Sequence, residues 1–207
     1  MTAVLTEVVY AAYVGMRDPA RQPYLAAKPL AIAAVAGELG AQEPQGLHDA
    51  VLIAFAWREQ GLIVAAGNPL GLNDIASVAA KRAKLALRPQ GAGAQLLLLS
   101  LVAHAALALD ALATVKPVAP TGPDIAQAIR AGRADCGIAT RSVAQAAGLG
   151  FVPLTWERFD LAMRQRDYFL PGLQALFKFL RTEAFHARGR ELTGYDTREA
   201  GDVRQVN

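Results

Sequence analysis

The sequence predicts an α/β fold, a mainly parallel sheet flanked by helices, and three observations carry that expectation. Short apolar runs of strand length alternate with helix-like segments from about Trp57 onward. Glycine, proline and asparagine punctuate the runs, and capping residues open several of the helices. Apolar residues make up 53% of the 207 positions, enough for a real core and too many for general disorder. At this length the chain fits one ordinary domain or two small lobes.

The elements follow in order. Gly61-Leu62-Ile63-Val64-Ala65-Ala66 predicts a strand that Gly67-Asn68-Pro69 stops. Asn73 is the expected N-cap of a helix through about Lys81, with Asp74 in its first turn. Lys84–Leu87 is the next strand, Arg88–Gly93 a turn, and Ala94–Ala106 a helix with a broad apolar face. A strand near Thr114–Val118 precedes a helix capped by Thr121, with Pro123 and Asp124 in the first turn and Ala131-Gly132 at its end. Cys136–Ala139 predicts a strand, Arg141–Ala147 a helix stopped by Gly148, and Phe151–Thr155 another strand. Phe159–Met163 reads as one more strand, returning towards the first lobe. Pro171–Leu180 and Glu183–Arg190 close the series as helices. Repeated alternation of strand and helix argues for parallel pairing. The first 50 residues are alanine-rich and show no readable pattern.

Bulk properties exclude several function classes. A net charge of +3 with no run of five Lys/Arg gives no basis for direct nucleic-acid or anionic-membrane binding. The single cysteine, Cys136, excludes an intrachain disulfide and a multi-cysteine metal cluster, and its apolar setting reads as a buried strand. Met1–Glu7 lacks a basic region and meets an acid early, unlike a signal peptide. Leu96–Leu109, interrupted by Ser100 and His104, is too short to span a membrane. A cytoplasmic location is expected.

The turn Arg88–Gln95 is the most informative local feature. A strand runs into a glycine-containing turn that opens directly into a helix, whose first amides are free to face an anion. No Gly-Lys-Ser/Thr follows, so it is not a phosphate loop of the Walker type. Gly91-Ala92-Gly93 lacks the third glycine of a dinucleotide fingerprint. Glycine placed for packing alone is the competing explanation. Thr121-Gly122 opens a second helix, readable as an ordinary cap or as a second ligand contact. Both starts would lie at carboxyl ends of neighbouring strands, the edge that ligands favour in open α/β sheets.

Catalysis finds little support. His48, His104 and His186 are far apart and form no H-E-x-x-H pattern, no Gly-x-Ser-x-Gly elbow occurs, and the acids are dispersed. No metal or cofactor site is expected, and the chain reads as a non-enzyme. Ser142–Leu149 looks like the first part of a helix-turn-helix, but Gly150-Phe151-Val152-Pro153-Leu154 continues as strand where a recognition helix is required.

These residues also resemble a known family. Arg58-Glu59-Gln60-Gly61-Leu62-Ile63-Val64 with Gly67-Asn68-Pro69-Leu70-Gly71-Leu72 is similar to the molybdate-binding-protein-like domain. That domain occurs fused to helix-turn-helix regulators or to molybdopterin-biosynthesis proteins. The similarity continues through Arg88–Gly93, Gly132–Ile138, Gly148–Leu154, Glu157–Leu161 and Leu192–Asp196, in consistent order across roughly 56–203. The resemblance implies a type II periplasmic-binding-protein-like fold of two α/β lobes joined by crossover strands. Ligand would sit in the cleft, held by helix N-termini, with molybdate or tungstate as the inferred oxyanion. Lobe 1 is expected over 1–82 and 157–207, and lobe 2 over 83–156.

By position, the family's Gly-Ser-Gly-Thr-Arg turn falls on Gly91, Ala92, Gly93, Ala94 and Gln95, keeping the glycines and losing both hydroxyls and the arginine. A Gly-Ser-His-Asp turn falls on Gly15-Met16-Arg17-Asp18, again without the serine. Each lost hydroxyl removes a bond worth about 0.5–1.5 kcal/mol net. The backbone amides survive, and Gln95, Thr121 or Thr140 could donate instead, with Arg17 and Arg88 supplying charge. The expected ligand residues are therefore Arg17, Asp18, Arg88, Gly91–Gln95, Thr121, Gly122 and Thr140. The resulting expectation is a non-catalytic oxyanion sensor working by lobe closure, in transcriptional regulation or molybdopterin biosynthesis. Its expected partners are the anion, a regulator chain or a second copy of this chain. The alternatives are an interaction domain whose site has decayed, and an accessory protein or enzyme of molybdenum-cofactor metabolism.

Overall fold

The computed structural model describes residues 10–11, 33–37 and 49–206. The turn expected at 15–18, with Arg17 and Asp18, lies outside them, as does His48. The described strands are β1 (Tyr10–Ala11), β2 (Ala33–Gly37), β3 (Ala50–Val64), β4 (Leu85–Ala86), β5 (Thr114–Val115), β6 (Cys136–Thr140), β7 (Gly150–Arg164), β8 (Tyr195–Asp196) and β9 (Val203–Val206). The helices are α1 (Ile75–Ala80), α2 (Gly93–His104), α3 (Gly122–Arg130), α4 (Arg141–Ala146), α5 (Gln165–Tyr168), α6 (Pro171–Leu180) and α7 (Glu183–Glu191).

Two compact units divide the chain. The first holds the described residues through Ala56, Arg158–Ala187 and the chain from Thr197; the second holds Trp57–Glu157 and Arg188–Asp196. The boundary expected at 82/83 falls instead at 56/57. Residues 57–82 belong to the second unit because Gln60–Val64 of β3 pair with Cys136–Thr140 of β6.

In the second unit the strand order is β7-β3-β6-β4-β5. Strand β4 is parallel to both β5 and β6, while β3 is antiparallel to β6, with Gln60 opposite Thr140 and Val64 opposite Cys136. Parallel pairing therefore holds for β4, β5 and β6, and β3 makes the sheet mixed. Side chains alternate between the faces. Leu62, Val64, Leu85, Cys136 and Ile138 pack with Ile75 and Val78 of α1 and with Leu97, Leu98 and Val102 of α2. Ile63, Ala86 and Ala139 pack on the opposite face with Ile125 and Ile129 of α3 and Ala144 of α4. Both faces are covered, which is why these strands read as continuous apolar runs.

In the first unit β2 pairs antiparallel with β7, from Ala33 opposite Ala162 to Gly37 opposite Arg158, and β9 pairs antiparallel with β3. Val51, Ile53, Leu161, Met163, Leu173, Phe177 and Leu180 form its core. Phe55 meets Phe159 and Phe185 edge-on.

Three sequence expectations are corrected in detail. Asp74, not Asn73, caps α1: its carboxylate accepts from the Ser77 amide at 2.7 Å, and the Ser77 hydroxyl accepts from the Asp74 amide. Helix α2 begins at Gly93, one residue early, with Ala92 as its N-cap. The strands expected at 151–155 and 159–163 are one strand, β7, because the polar stretch between them is paired rather than solvated. Pro153 is tolerated in this part of β7, which is the outer strand of the second unit's order. The chain leaves α4 through Gly148 (φ 66°) into β7, so no recognition helix follows Ser142–Leu149.

Candidate functional site

Strands β4, β5 and β6 share one direction, so their carboxyl ends lie along one edge of the second unit's sheet. Helices α2, α3 and α4 begin just beyond that edge. Because β3 runs the other way, its residues 58–60 also reach this edge, Gln60 lying opposite Thr140.

At the start of α2 the loop is fixed from within. Gly91 (φ 84°) turns the chain through a conformation that L side chains rarely adopt, and the Ala92 amide donates to the Pro89 carbonyl at 3.0 Å. Gln95 is buried, and its Oε1 accepts from the Arg88 amide at 3.1 Å. Ala92 provides no side-chain cap and the first turn holds no acid. The Gly93 and Ala94 amides have no intrahelical acceptor, being the first two of the helix. Helix α2 packs over β6 on the face that carries Ile138, the face of Thr140 as well. The Thr140 hydroxyl is 3.0 Å from that of Ser142.

The α3 start is arranged differently. The Asp124 amide donates to the Thr121 hydroxyl at 3.4 Å, and the Asp124 carboxylate accepts from the Thr121 amide at 2.8 Å and its hydroxyl at 2.5 Å. A carboxylate thus already occupies the positive end of this helix. Gly122 faces Val143 across the α3–α4 contact, where an added Cβ would stand 3.2 Å from that side chain.

Polar residues inside the two long strands complete the edge. Arg58 and Gln60 lie on the α2 face of β3. Both bond to Glu157 of β7: Arg58 forms an ion pair with it, and the Gln60 Nε2 donates to the Glu157 Oε1 at 2.7 Å. Gln60 and Glu157 are 3% and 7% exposed. The Gln60 Oε1 is buried and accepts no hydrogen bond among the described residues. Glu59, on the opposite face, accepts a two-pronged pair from Arg141, with Nη2 to Oε1 at 2.9 Å. This bond raises the Arg141 pKa further. The Arg141 guanidinium lies 4.5 Å from the centre of the Phe151 ring, which in turn covers Gly61.

Gly91–Gln95 and Thr140 therefore lie at the same strand-end edge on the α2 face, with Arg88 following the end of β4. Thr121 and Gly122 lie at the same edge on the α3 side. Sequence reasoning missed Arg58, Gln60, Ser142 and Glu157. The available signal was a polar triplet inside each of two apolar strands, Arg58-Glu59-Gln60 and Trp156-Glu157-Arg158. At the other edge of this sheet is a shallow cavity of about 160 Å³, lined among others by Val64, Asn68, Leu70, Ile129 and Asp135. Among the described residues no cluster of His, Cys, Asp and Glu is placed to hold a metal ion, and no helix is long and apolar enough to cross a membrane.

Residues 39–181, more than half of the chain, match the model of the PBP superfamily domain, the periplasmic-binding-protein fold. A curated relative, the uncharacterized protein YvgK of Bacillus subtilis (strain 168), is 26% identical over 152 residues. The match covers 73% of this chain and 49% of the relative, so the chain spans about half the relative's length. Among solved structures, the regulatory domain of MetR, a LysR-family regulator from N. meningitidis, aligns with a TM-score of 0.57 at 13% identity, over 80% of this chain and 73% of that one. PEB3 bound to L-phospholactate gives 0.54 at 13% identity, over 70% and 67%. The effector-binding domain of QuiR with shikimate gives 0.54 at 15%, over 72% and 68%. At these identities the likeness is one of fold, a two-lobed α/β fold of the periplasmic-binding-protein type. The chain belongs to the PBP superfamily domain family.

Proposed function

We propose that this chain is a cytoplasmic sensor domain that takes a small anion at the α2 start of its second unit. The observation that carries this reading is the contrast between helix starts. Aspartates close α1 and α3 from within, whereas α2, like α4 and α6, opens with no acid and no side-chain cap, and of these α2 is the long helix that starts at the strand-end edge of the second unit. Its first amides stand on the face of the Thr140 hydroxyl, a donor set suited to an anion without any charged side chain. In this reading Gly91 shapes the turn, Gly93 and Ala94 donate, Gln95 holds the loop, and Ala92 leaves the helix end uncovered. Thr140 donates from the strand end and Arg88 adds charge. Thr121 and Gly122 contribute less, because Asp124 is already there, and Arg17 and Asp18 would add contacts from the N-terminal region.

The class of anion follows from two sources. The sequence resemblance implies molybdate or tungstate. The ligands named with PEB3 and QuiR, L-phospholactate and shikimate, are organic anions. Binding would draw the lobes closed, and a partner regulator chain would read the closure. Calorimetric titration of the full chain with molybdate, tungstate, sulfate, phosphate and shikimate tests the reading, and heat from at least one is expected. Silence across the panel rejects it. A second reading, a fold kept for docking after its site decayed, is favoured by the exposed Phe169, Leu170 and Phe179 of the first unit. That reading expects silence in calorimetry together with a stable dimer in light scattering.

A further inference from the structure

The most exposed large apolar side chain among the described residues is Phe169, 76% exposed at the corner between α5 and α6. Leu170 beside it is 43% exposed, and Phe179, in the last turn of α6, is 50% exposed. Between them α6 presents Pro171, Gly172, Ala175 and Lys178 to solvent at three- and four-residue spacing, so they share one helix face with Phe179. The opposite face buries Leu173, Phe177 and Leu180. Tyr168 stacks on Phe177 and meets Phe169 edge-on, which fixes the corner to the core of the first unit. The exposed face is bulky at both ends and small in the middle, where a Cβ added to Gly172 would meet nothing within 4 Å. Its length, about 15 Å for ten helical residues, matches two to three turns of a helix laid along it. Three large apolar side chains around one face go beyond the single scattered exposures of an ordinary surface.

The charges around this face have one sign. Residues 164–181 hold four cations, Arg164, Arg166, Lys178 and Arg181, and one acid, Asp167. Asp167 is 7% exposed and lies 2.6 Å from the Arg164 Nε and 3.9 Å from that of Arg166. Arg181 donates to the Gly201 carbonyl at 2.5 Å, with Asp202 3.9 Å away. Arg166, whose side chain is 66% exposed, and the exposed Lys178 therefore set the charge at the two ends of the face.

We propose that this face docks a short amphipathic helix of another protein. The apolar stripe of that helix would seat over Ala175 between Phe169 and Phe179, and its carboxylates would meet Arg166 and Lys178. A second copy of this chain fits poorly, because in a two-fold pair the face would meet itself, cation against cation. A lipid surface fits less well than a protein. Three of the four cations are arginine, the cation enriched at protein interfaces where lysine is depleted. A dip between bulky ends also offers a seat to a protruding side chain, which a lipid surface does not present. The proposal concerns the first unit alone and stands whether or not the second unit takes an anion.

The test selects random peptides of about 16 residues, enough for some four helical turns, displayed on phage against the full chain. The enriched peptides are then measured by fluorescence anisotropy. They are expected to carry apolar residues at i, i+3 or i+4 and i+7 with Asp or Glu on the flanks. Ala175→Glu, which fills the dip with a charge, is expected to weaken them at least about 10-fold. Lys178→Glu should weaken them about 3-fold or more at low salt, and the difference from wild type should close at high salt. Both positions are exposed, so the urea midpoint should stay that of the wild type. Enriched peptides without acids, or peptides that bind both variants as tightly as the wild type, overturn the proposal, and so does a library from which nothing is enriched. Two outcomes would overturn it by reassigning the face. Sedimentation with vesicles of phosphatidylcholine and phosphatidylserine, abolished by Ala175→Glu, assigns it to a membrane surface. A dimer in light scattering that Ala175→Glu dissolves assigns it to a second copy.

Discussion

Removing the Glu157 carboxylate tests whether the polar bridge between β3 and β7 holds the second unit together. Glu157→Ala deprives Gln60 Nε2 of its acceptor at a position 3% exposed, costing about 1–3 kcal/mol for an unmatched buried donor. It also removes a charge-assisted bond to Arg58, whose side chain is 20% exposed and can rehydrate, so only about 1.5 kcal/mol is counted there. The sum, about 3 kcal/mol, lies at the lower end of the range for breaking a fully buried pair. Glu157→Gln keeps an acceptor for Gln60 and loses the charge, for an expected cost of about half as much. Both tryptophans of the chain, Trp57 and Trp156, belong to the second unit and adjoin the bridge. Their fluorescence therefore reports this unit's unfolding in urea even if the two units melt separately. With an m-value of about 2 kcal/mol/M, Glu157→Ala should lower the midpoint by about 1.5 M at unchanged slope. A loss below about 1 kcal/mol, or a Glu157→Gln variant as damaged as Glu157→Ala, would refute the reasoning.

Other outcomes are expected. Gly61→Ala puts a methyl against the Val152 carbonyl oxygen and the Phe151 ring, and should cost about 3 kcal/mol in the same assay. Phe151→Leu made in that background should recover part of the loss. Thr121→Ala removes the side-chain acceptor at the start of α3 and should lower stability by about 1 kcal/mol in denaturant titration. Burial, aided by Asp135, pushes the Cys136 thiol from 9.0 up to about 12, so a disulfide reagent should label it only after unfolding. Its folded pKa lies above its unfolded one. The associated stability is therefore complete below pH 9 and is lost as pH rises towards 12. Cys136→Ala should show a shallower alkaline decline in unfolding free energy than the wild type; equal declines would rule out this linkage.

Much of the second unit was legible because its signals are local. Thr121 caps α3 with Pro123 and Asp124 in the first turn, as those three residue types imply, and Pro171–Leu180 is helix α6 over that same span. Longer-range pairing was not legible. Arg58-Glu59-Gln60 and Trp156-Glu157-Arg158 look like the ends of strands, since charges in sequence suggest solvent. Only when β3 and β7 lie side by side do Arg58 and Gln60 find Glu157, and Arg141 reaches Glu59 across a sequence separation of 82. The candidate site divides in the same way. The Arg88–Gln95 turn is a contiguous motif and stood out, whereas Gln60, Ser142 and Glu157 join it only through strand register. The division into compact units at 56/57 was not legible for the same reason, because the pairing of Gln60–Val64 with Cys136–Thr140 is invisible from either segment alone.

The way β8 closes on β3 carries a consequence for synthesis. Trp57 and Arg58 pair with Asp196 and Tyr195, and the Glu59 amide donates to the Gly194 carbonyl at 2.8 Å. In the first unit, Val51–Ile53 likewise wait for Val203–Val206. Neither unit can therefore finish while the ribosome is still making residues 188–206, and strand β3, made early, must stay partly unpaired until then. Pairing over so long a separation slows folding and leaves apolar strand edges open to other chains. Fragments ending near residue 185 should accordingly be aggregation-prone.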